Sequence, residues 1–162
     1  MEVPTEHLHE EINEHVKEEN KWSLYVAIST ALMAVFAAIA SMMAGHDSNE
    51  ALIEQIRASD QWAYYQAKGI KQEIAVLINA KDTAKISNYE RERINIKKTA
   101  EEEETKSKAF LKEHVSLARC VTLFQIAIAI SAISIITKRR TLWFFALIIA
   151  ASGILFFLAL LI

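Results

Sequence analysis

The sequence predicts an all-α membrane protein: three transmembrane helices, with a long extramembrane antiparallel helical hairpin between spans one and two. Three runs carry no charged residue, Trp22 to Gly45, Cys120 to Thr137 and Thr141 to Ile162, and they hold 24, 18 and 22 residues. A hydrocarbon core of ~30 Å needs about 20 helical residues, so each run is long enough to cross it. Only three glycines and one proline occur in 162 residues, too few turn-formers for a fold built on loops. The 74 residues between the first two runs are charged and helically periodic.

Residues 1–21 read as a cytoplasmic acidic amphipathic leader helix, with seven Glu against two Lys. Thr5 can cap it, and Leu8, Ile12 and Val16 form a thin apolar line. His7, Glu11 and His15 line another face at i, i+4 and i+8. Adjacent members could hold a divalent metal. All three on one straight helix could not, because His7 and His15 stand roughly 12 Å apart; a shared site needs neighbouring subunits. The alternative is a solvated face of Glu–His pairs, and the expected complement of metals and cofactors is none. The leader is acidic and the first apolar run exceeds the 7–15 residues of a signal-peptide core, so an uncleaved anchor is expected. Whether leader and span form one helix is open.

The first span, residues 22–45, is rich in small residues. Ala27, Ala31, Ala34, Ala37, Ala38, Ser41 and Ala44 offer a smooth face for close helix approach. Residues 46–119 then read as a hairpin with arms at about 47–80 and 87–119. Asp47, Ser48 and Asn49 can cap the first arm, or the helix can run on from span one, since one Gly costs only ~1 kcal/mol. Its apolar positions recur at Leu52, Ile56, Ala63, Ala67, Ile70, Ile74 and Leu77. A turn is expected over Lys81–Ile86, followed by a capping box in Ser87-Asn88-Tyr89-Glu90. The second arm carries a poorer stripe, Tyr89, Ile96, Ala100, Phe110 and Leu117, interrupted by Arg93, Glu103, Ser107 and His114. Equal arms anchored at one membrane face set a register in which opposed residue numbers add to about 165. Glu101–Glu104 then face Trp62–Tyr65, with Lys68 and Lys71 nearby, and can find phenol and ammonium partners; a solvated acidic face is the alternative. Two stripes this narrow bury little surface, so several hairpins are expected to pack as a coiled-coil homo-oligomer.

The second span, 120–137, opens on the only cysteine, Cys120, which is read as a small buried residue. Gln125 is the most polar side chain of the spans. Its amide needs a partner in hydrocarbon, a serine or another copy of itself; Ser131 and Ser134 are the expected intramembrane polar contacts, with Ala127 on the same packing face. The third span, 141–162, offers Ala146, Ala150 and Gly153 for packing. Between spans two and three, Lys138, Arg139 and Arg140 form a basic turn at 138–140. Short basic loops stay in the cytoplasm, which fixes the N-terminus inside, residues 46–119 outside and the C-terminus extracytoplasmic. Lys17 and Lys21 agree, and Trp22, Tyr25 and Trp143 form an inner-face aromatic belt.

Composition narrows the function. The net charge is −2, residues 46–119 balance 13 acids against 13 bases, and no segment has the basic excess of a nucleic-acid binder. One cysteine permits no intrachain disulfide and no cysteine metal cluster. No ionisable residue lies in a span, which argues against an ion-coupled relay but leaves a passive channel open. No Ser-His-Asp arrangement, zinc spacing or phosphate-cradling glycine loop is visible, so no enzyme and no catalytic residue is expected. His114, beside Glu113 and near Arg119, is the one side chain that could be imagined in a site.

Gln61-Trp62-Ala63-Tyr64-Tyr65-Gln66-Ala67-Lys68 with Ile70-Lys71-Gln72, and Leu123–Ile128 through Thr137–Arg140 and Trp143, together resemble a bacterial membrane family, domain of unknown function 4337. The resemblance runs over nearly the whole chain and implies a bacterial inner-membrane location, but no activity. The candidate interaction surface is Trp62, Tyr64, Tyr65, Gln66, Lys68 and Lys71: large apolar bodies with polar tips suit hairpin packing or a foreign partner. The expected function is a non-enzymatic oligomeric scaffold, sensor or accessory surface of the cell envelope, in contact with the lipid bilayer and open to an envelope protein partner. The alternative is a passive channel or transporter subunit with a Ser/Gln-lined pore formed by the oligomer.

Overall fold

The computed structural model describes the backbone of residues 4–78 and 83–161, and side chains from Val16 onward except at 18–20 and 161. Three helices account for them: α1 (Pro4–Ile78), α2 (Thr83–Thr137) and α3 (Arg140–Leu161), with no strand among the described residues. The 75-residue α1 joins the leader to the first apolar run and continues past it. Asp47, Ser48 and Asn49 are therefore helix interior and not caps. Gly45 passes through α1 with nothing near its α-carbon, and its cost of ~1 kcal/mol is too small to break a helix this long. The capping box does not form either. Helix α2 begins at Thr83, ahead of Ser87, and Asn88 Nδ2 donates to Glu92 Oε1 at 3.0 Å as an ordinary i, i+4 pair. Of the expected turn, Lys81 and Asp82 lie outside the described residues and the remainder is helical.

The chain divides into two compact units, Met1–Met42 with Ser116–Ile162, and Met43–Val115. In the first, burial follows an alternation of three and four residues. Helix α2 buries Leu117, Cys120, Phe124, Ala127, Ser131 and Ser134, and α3 buries Ala146, Ala150, Gly153 and Phe157. This 3.5-residue spacing is that of helices packed nearly parallel to one another. On α1 every seventh residue, Val26, Met33 and Ala40, turns inward. Met33, Ala127 and Ala150 form the core cluster, and Phe36 stacks on Phe124 at 6.1 Å. Gly153 admits the Phe124 ring, because a Cβ there would lie 3.2 Å from it. Most of the small-residue face of α1 is not spent on this packing: Ala27, Ala31, Ala34, Ala38 and Ser41 point outward, among exposed Leu24, Ile28, Leu32 and Val35. The larger Val26 and Met33 fill the seam instead. All three helices are long and apolar enough to cross a membrane.

The turn from α2 to α3 is closed by Lys138, the one non-glycine with positive φ among the described residues, at 52°. Arg139 N–H donates to Ser134 O at 3.2 Å and Lys138 N–H to Ile135 O at 3.3 Å. This is the left-handed C-terminal cap that usually carries glycine. Arg140, expected in the turn, is the first residue of α3.

In the second unit α1 and α2 pack with opposite chain sense. Ala44 meets His114, Ala51 meets Ser107, Trp62 meets Glu104, Lys68 meets Glu92 and Gln72 meets Arg93; the Trp62 and Gln72 contacts keep the expected register to within a residue, while the Ala44 and Ala51 contacts are displaced from it by about two turns. The α2 stripe is the expected one, with Ile96 and Ala100 buried and Tyr89 and Phe110 half-buried. The α1 stripe is not. Ala51, Glu54, Ala58 and Gly69 face α2, while Leu52, Ile56, Ala63, Ala67, Ile70, Ile74 and Leu77 face outward, Leu77 being 85% exposed. Small residues let α1 approach closely enough for its backbone carbonyls to be reached, and the bulky stripe is left on the far side.

Candidate functional site

Three of the residues that interrupt the α2 stripe, Arg93, Ser107 and His114, bond across to α1. His114 Nδ1 lies 2.7 Å from the Ala44 carbonyl; a carbonyl only accepts, so Nδ1 carries the proton. Ser107 Oγ donates to Ala51 O at 2.8 Å. Arg93 Nη1 donates to Gln72 Oε1 at 2.9 Å, and its guanidinium lies 4.5 Å from the Tyr65 ring centre. A Cβ at Gly69 would stand 3.3 Å from Arg93 Cζ, so glycine makes room for that approach. Tyr65 in turn meets Trp62 edge-on at 5.7 Å, and Trp62 Nε1 donates to Glu104 Oε1 at 2.9 Å.

Beside this cluster Lys68 pairs with Glu92 and lies 5.4 Å and 5.5 Å from the rings of Tyr64 and Tyr89. The hydrogen bond from Lys68 holds the Glu92 carboxyl below its ordinary range, and the same bond raises the Lys68 ammonium. The rest of the acid run turns to its own helix: Glu101 to Lys97, Glu102 to Lys98, and Glu104 to Lys108 as well as to Trp62. The expected phenol and Lys68 or Lys71 partners are thus replaced by an indole and by lysines four residues away. Two seam carboxylates are incompletely satisfied. Glu54 is 6% exposed and pairs with Arg57 through Oε1 at 2.6 Å, but its Oε2, like Glu103 Oε2, has no hydrogen-bond partner among the described residues.

Residues 22–162 match the family described as Domain of unknown function (DUF4337). The chain belongs to that family. No curated protein and no solved structure matches the chain. Of the six residues expected to form the DUF4337 chain's interaction surface, the structure brings Trp62, Tyr65 and Lys68 into the helix pair, with Tyr64 against Lys68 but still 48% exposed. Gln66 and Lys71 are exposed. Tyr89, Glu92, Arg93 and Glu104 complete the cluster: Tyr89 is expected in the apolar stripe, Arg93 as a break in it and Glu104 opposite Trp62–Tyr65, and Glu92 alone carries no sequence signal.

In the apolar unit, Ser134 Oγ donates to Ser131 O at 2.7 Å, and both serines are buried. Ser131 Oγ finds no partner among the described residues. Gln125 lies on a different, outward side of α2, so the three polar residues do not share one surface. Trp143 Nε1 donates to Ser29 Oγ at 3.1 Å, two turns along α1 from Trp22. The side chains of His7, Glu11 and His15 lie outside the described residues. Among the described residues no three His, Cys, Asp or Glu are grouped to hold a metal.

Proposed function

We propose that this DUF4337 chain is a non-enzymatic, oligomeric integral membrane protein. Its three apolar segments anchor residues 46–119, an extracytoplasmic hairpin that serves as a scaffold, sensor or accessory surface of a bacterial cell envelope. The N-terminus is cytoplasmic and the C-terminus extracytoplasmic. The observation that carries the reading is the division of labour on α1. Its polar and aromatic seam is occupied by α2, while its bulkiest apolar side chains, Leu52, Ile56, Ile70, Ile74 and Leu77, face outward at 48–85% exposure. Contiguous apolar surface of this kind marks an interaction face. The mass of the detergent-extracted complex tests it, with any co-purifying protein identified. A multimer that falls to monomer on Ile56→Glu and Ile70→Glu is expected; a monomeric wild type refutes the assembly. A periplasm-only reporter fused near Ala84 is expected to be active, and activity only with a fusion at Arg139 reverses the orientation.

The second reading is a passive channel or transporter subunit. Gln125 favours it, an outward amide on an otherwise apolar stretch whose donors and acceptors need partners from another copy. Ser131 and Ser134, buried within the chain, drop out of the proposed pore lining. Conductance in planar bilayers that changes with Gln125→Leu supports this reading; silent bilayers holding confirmed oligomers reject it.

A further inference from the structure

Helices α2 and α3 border a groove that the packing of the apolar unit does not fill. Gly153 brings α3 close to α2: a Cβ there would stand 3.2 Å from the Phe124 ring and 3.5 Å from Leu123 Cβ. One turn further along α3, Phe156 is 36% exposed. With Thr122, Leu123 and Arg119 of α2 it lines an open groove of about 440 Å³, within the range of about 300–1,000 Å³ that small-molecule sites occupy. The wall is almost wholly apolar, so Arg119 contributes its stem and carries its guanidinium to the rim. All four residues belong to one compact unit, the one that contains Ser116–Ile162.

Depth gives that rim its meaning. Arg119 precedes Lys138 by about 28 Å of helix at 1.5 Å per residue. A hydrocarbon core is ~30 Å thick, so Arg119 lies at one headgroup level when the basic turn at 138–140 lies at the other. Leu123 and Phe156 stand about 22–24 Å from that turn, just inside the hydrocarbon. Arg119 is exposed and pairs with no carboxylate among the described residues. Thr122 Oγ1 donates its proton to Ala118 O at 2.9 Å, which leaves the guanidinium as the side-chain donor of the groove. We propose that this groove binds a net-anionic glycerophospholipid, its phosphodiester on Arg119 and one acyl chain along Leu123 and Phe156. The inference rests on the membrane reading above. A guanidinium meets two phosphate oxygens at once, and an apolar wall takes a methylene chain but offers nothing to a free inorganic anion. The phosphate of phosphatidylethanolamine is partly neutralised by its own ammonium; that of phosphatidylglycerol is not, and this sets the preference.

The test reconstitutes the full-length chain into phosphatidylcholine vesicles containing a trace of phosphatidylglycerol with a photoactivatable diazirine on its acyl chain. After illumination the labelled peptides are mapped. Label is expected at residues 119–123 and around Phe156, and unlabelled phosphatidylglycerol should displace it where phosphatidylethanolamine and inorganic phosphate do not. Arg119→Gln is expected to lower labelling of the groove about five-fold, the effect of one basic residue at an anionic headgroup. Arg119→Lys, which keeps the charge, should recover at least half of it. Label spread along all three helices in proportion to exposure overturns the site, and so does an unchanged yield in Arg119→Gln. Equal losses in the Gln and Lys variants would show that Arg119 acts on the fold and not on the lipid. Displacement by phosphatidylethanolamine overturns the preference for net-anionic lipid, and displacement by inorganic phosphate overturns the lipid itself. Flotation of protein with the vesicles reads membrane insertion separately: protein that floats without groove labelling rejects the lipid site alone, and protein that does not float rejects the membrane reading.

Discussion

Replacing Arg93 with Met removes a planar cation from the middle of the polar seam while keeping an apolar stem of similar reach. Two contacts are lost. The guanidinium 4.5 Å from the Tyr65 ring centre is half-buried, which puts the cation–π contribution at about 0.5–1 kcal/mol. The 2.9 Å bond to Gln72 has a charged donor but a half-exposed acceptor, worth about 1 kcal/mol net because water can replace it. Arg93→Met is therefore expected to destabilise the detergent-solubilised chain by about 1.5–2 kcal/mol, followed as loss of helical circular dichroism in denaturant. Arg93→Lys, which keeps the charge and loses the planar fork, is expected to cost about 1 kcal/mol. A double-mutant cycle with Tyr65→Leu should give a coupling of about 0.5–1 kcal/mol. Gly69 supplies an independent check. Its Cβ would meet Arg93 Cζ at 3.3 Å, so Gly69→Ala should be near neutral in the wild type. In the Arg93→Met chain it should stabilise by about 1 kcal/mol, the helix-propensity gain of Ala over Gly. An Arg93–Tyr65 coupling below about 0.3 kcal/mol, or equal Gly69→Ala effects in both chains, would refute this account of the cluster.

Three further outcomes follow from particular contacts. Glu92 is held below its ordinary range by Lys68, so its contribution is present above that range and fades as pH falls through the depressed folded value. Lys68 is raised, so its contribution is present below its ordinary value and is lost only as pH rises through the folded one. The stability gap between wild type and Glu92→Gln should accordingly be constant near neutrality and close below about pH 4; a gap unchanged at pH 3 counts against the pair. Glu54 is buried with one oxygen unpartnered among the described residues, and its partner Arg57 keeps a side chain that is 60% exposed. Glu54→Leu should therefore raise stability by about 1–2 kcal/mol, and a clear loss would show that the carboxylate has another role. At the α2–α3 turn, Lys138→Gly should stabilise by about 1 kcal/mol by relieving a left-handed conformation at φ 52°, read as a higher melting temperature; a lower one would mean that the lysine side chain outweighs its backbone.

The three apolar runs and the near-total helix content were legible because they rest on composition: missing charge and missing glycine and proline need no tertiary knowledge. The inward face of α1 was not. Leu52, Ile56, Ile70 and Ile74 look like a core stripe because bulk and hydropathy dominate a periodicity argument. The face turned to α2 is Ala51, Glu54, Ala58 and Gly69, chosen by closeness of approach and not by apolar area. The polar breaks in the α2 stripe follow the same rule. Arg93, Ser107 and His114 lower the apolar count of their stripe, yet each bonds across to α1, Ser107 and His114 to backbone carbonyls reachable because the facing residue is alanine, and Arg93 to the Gln72 side chain. Ser87 is not a cap because α2 already begins at Thr83, so the amides it would serve have backbone partners.

A helix whose small residues satisfy its intramolecular partner and whose large ones do not has two faces under separate demands. If the outward stripe had no partner, Leu52, Ile56, Ile70, Ile74 and Leu77 would hold apolar area in water at a cost of roughly 25 cal/mol per Å², and substituting them with polar residues would cost the fold nothing. The decisive contrast is therefore Ile70→Glu against Ala58→Glu. Ala58 is fully buried against α2, so its substitution should unfold the second unit whatever the oligomeric state. Ile70 is 58% exposed, so its substitution should leave the monomer's helicity intact and remove only the assembly. Equal damage from both would mean that the outward face belongs to the fold; no change in mass from Ile70→Glu would mean that it faces water with no partner.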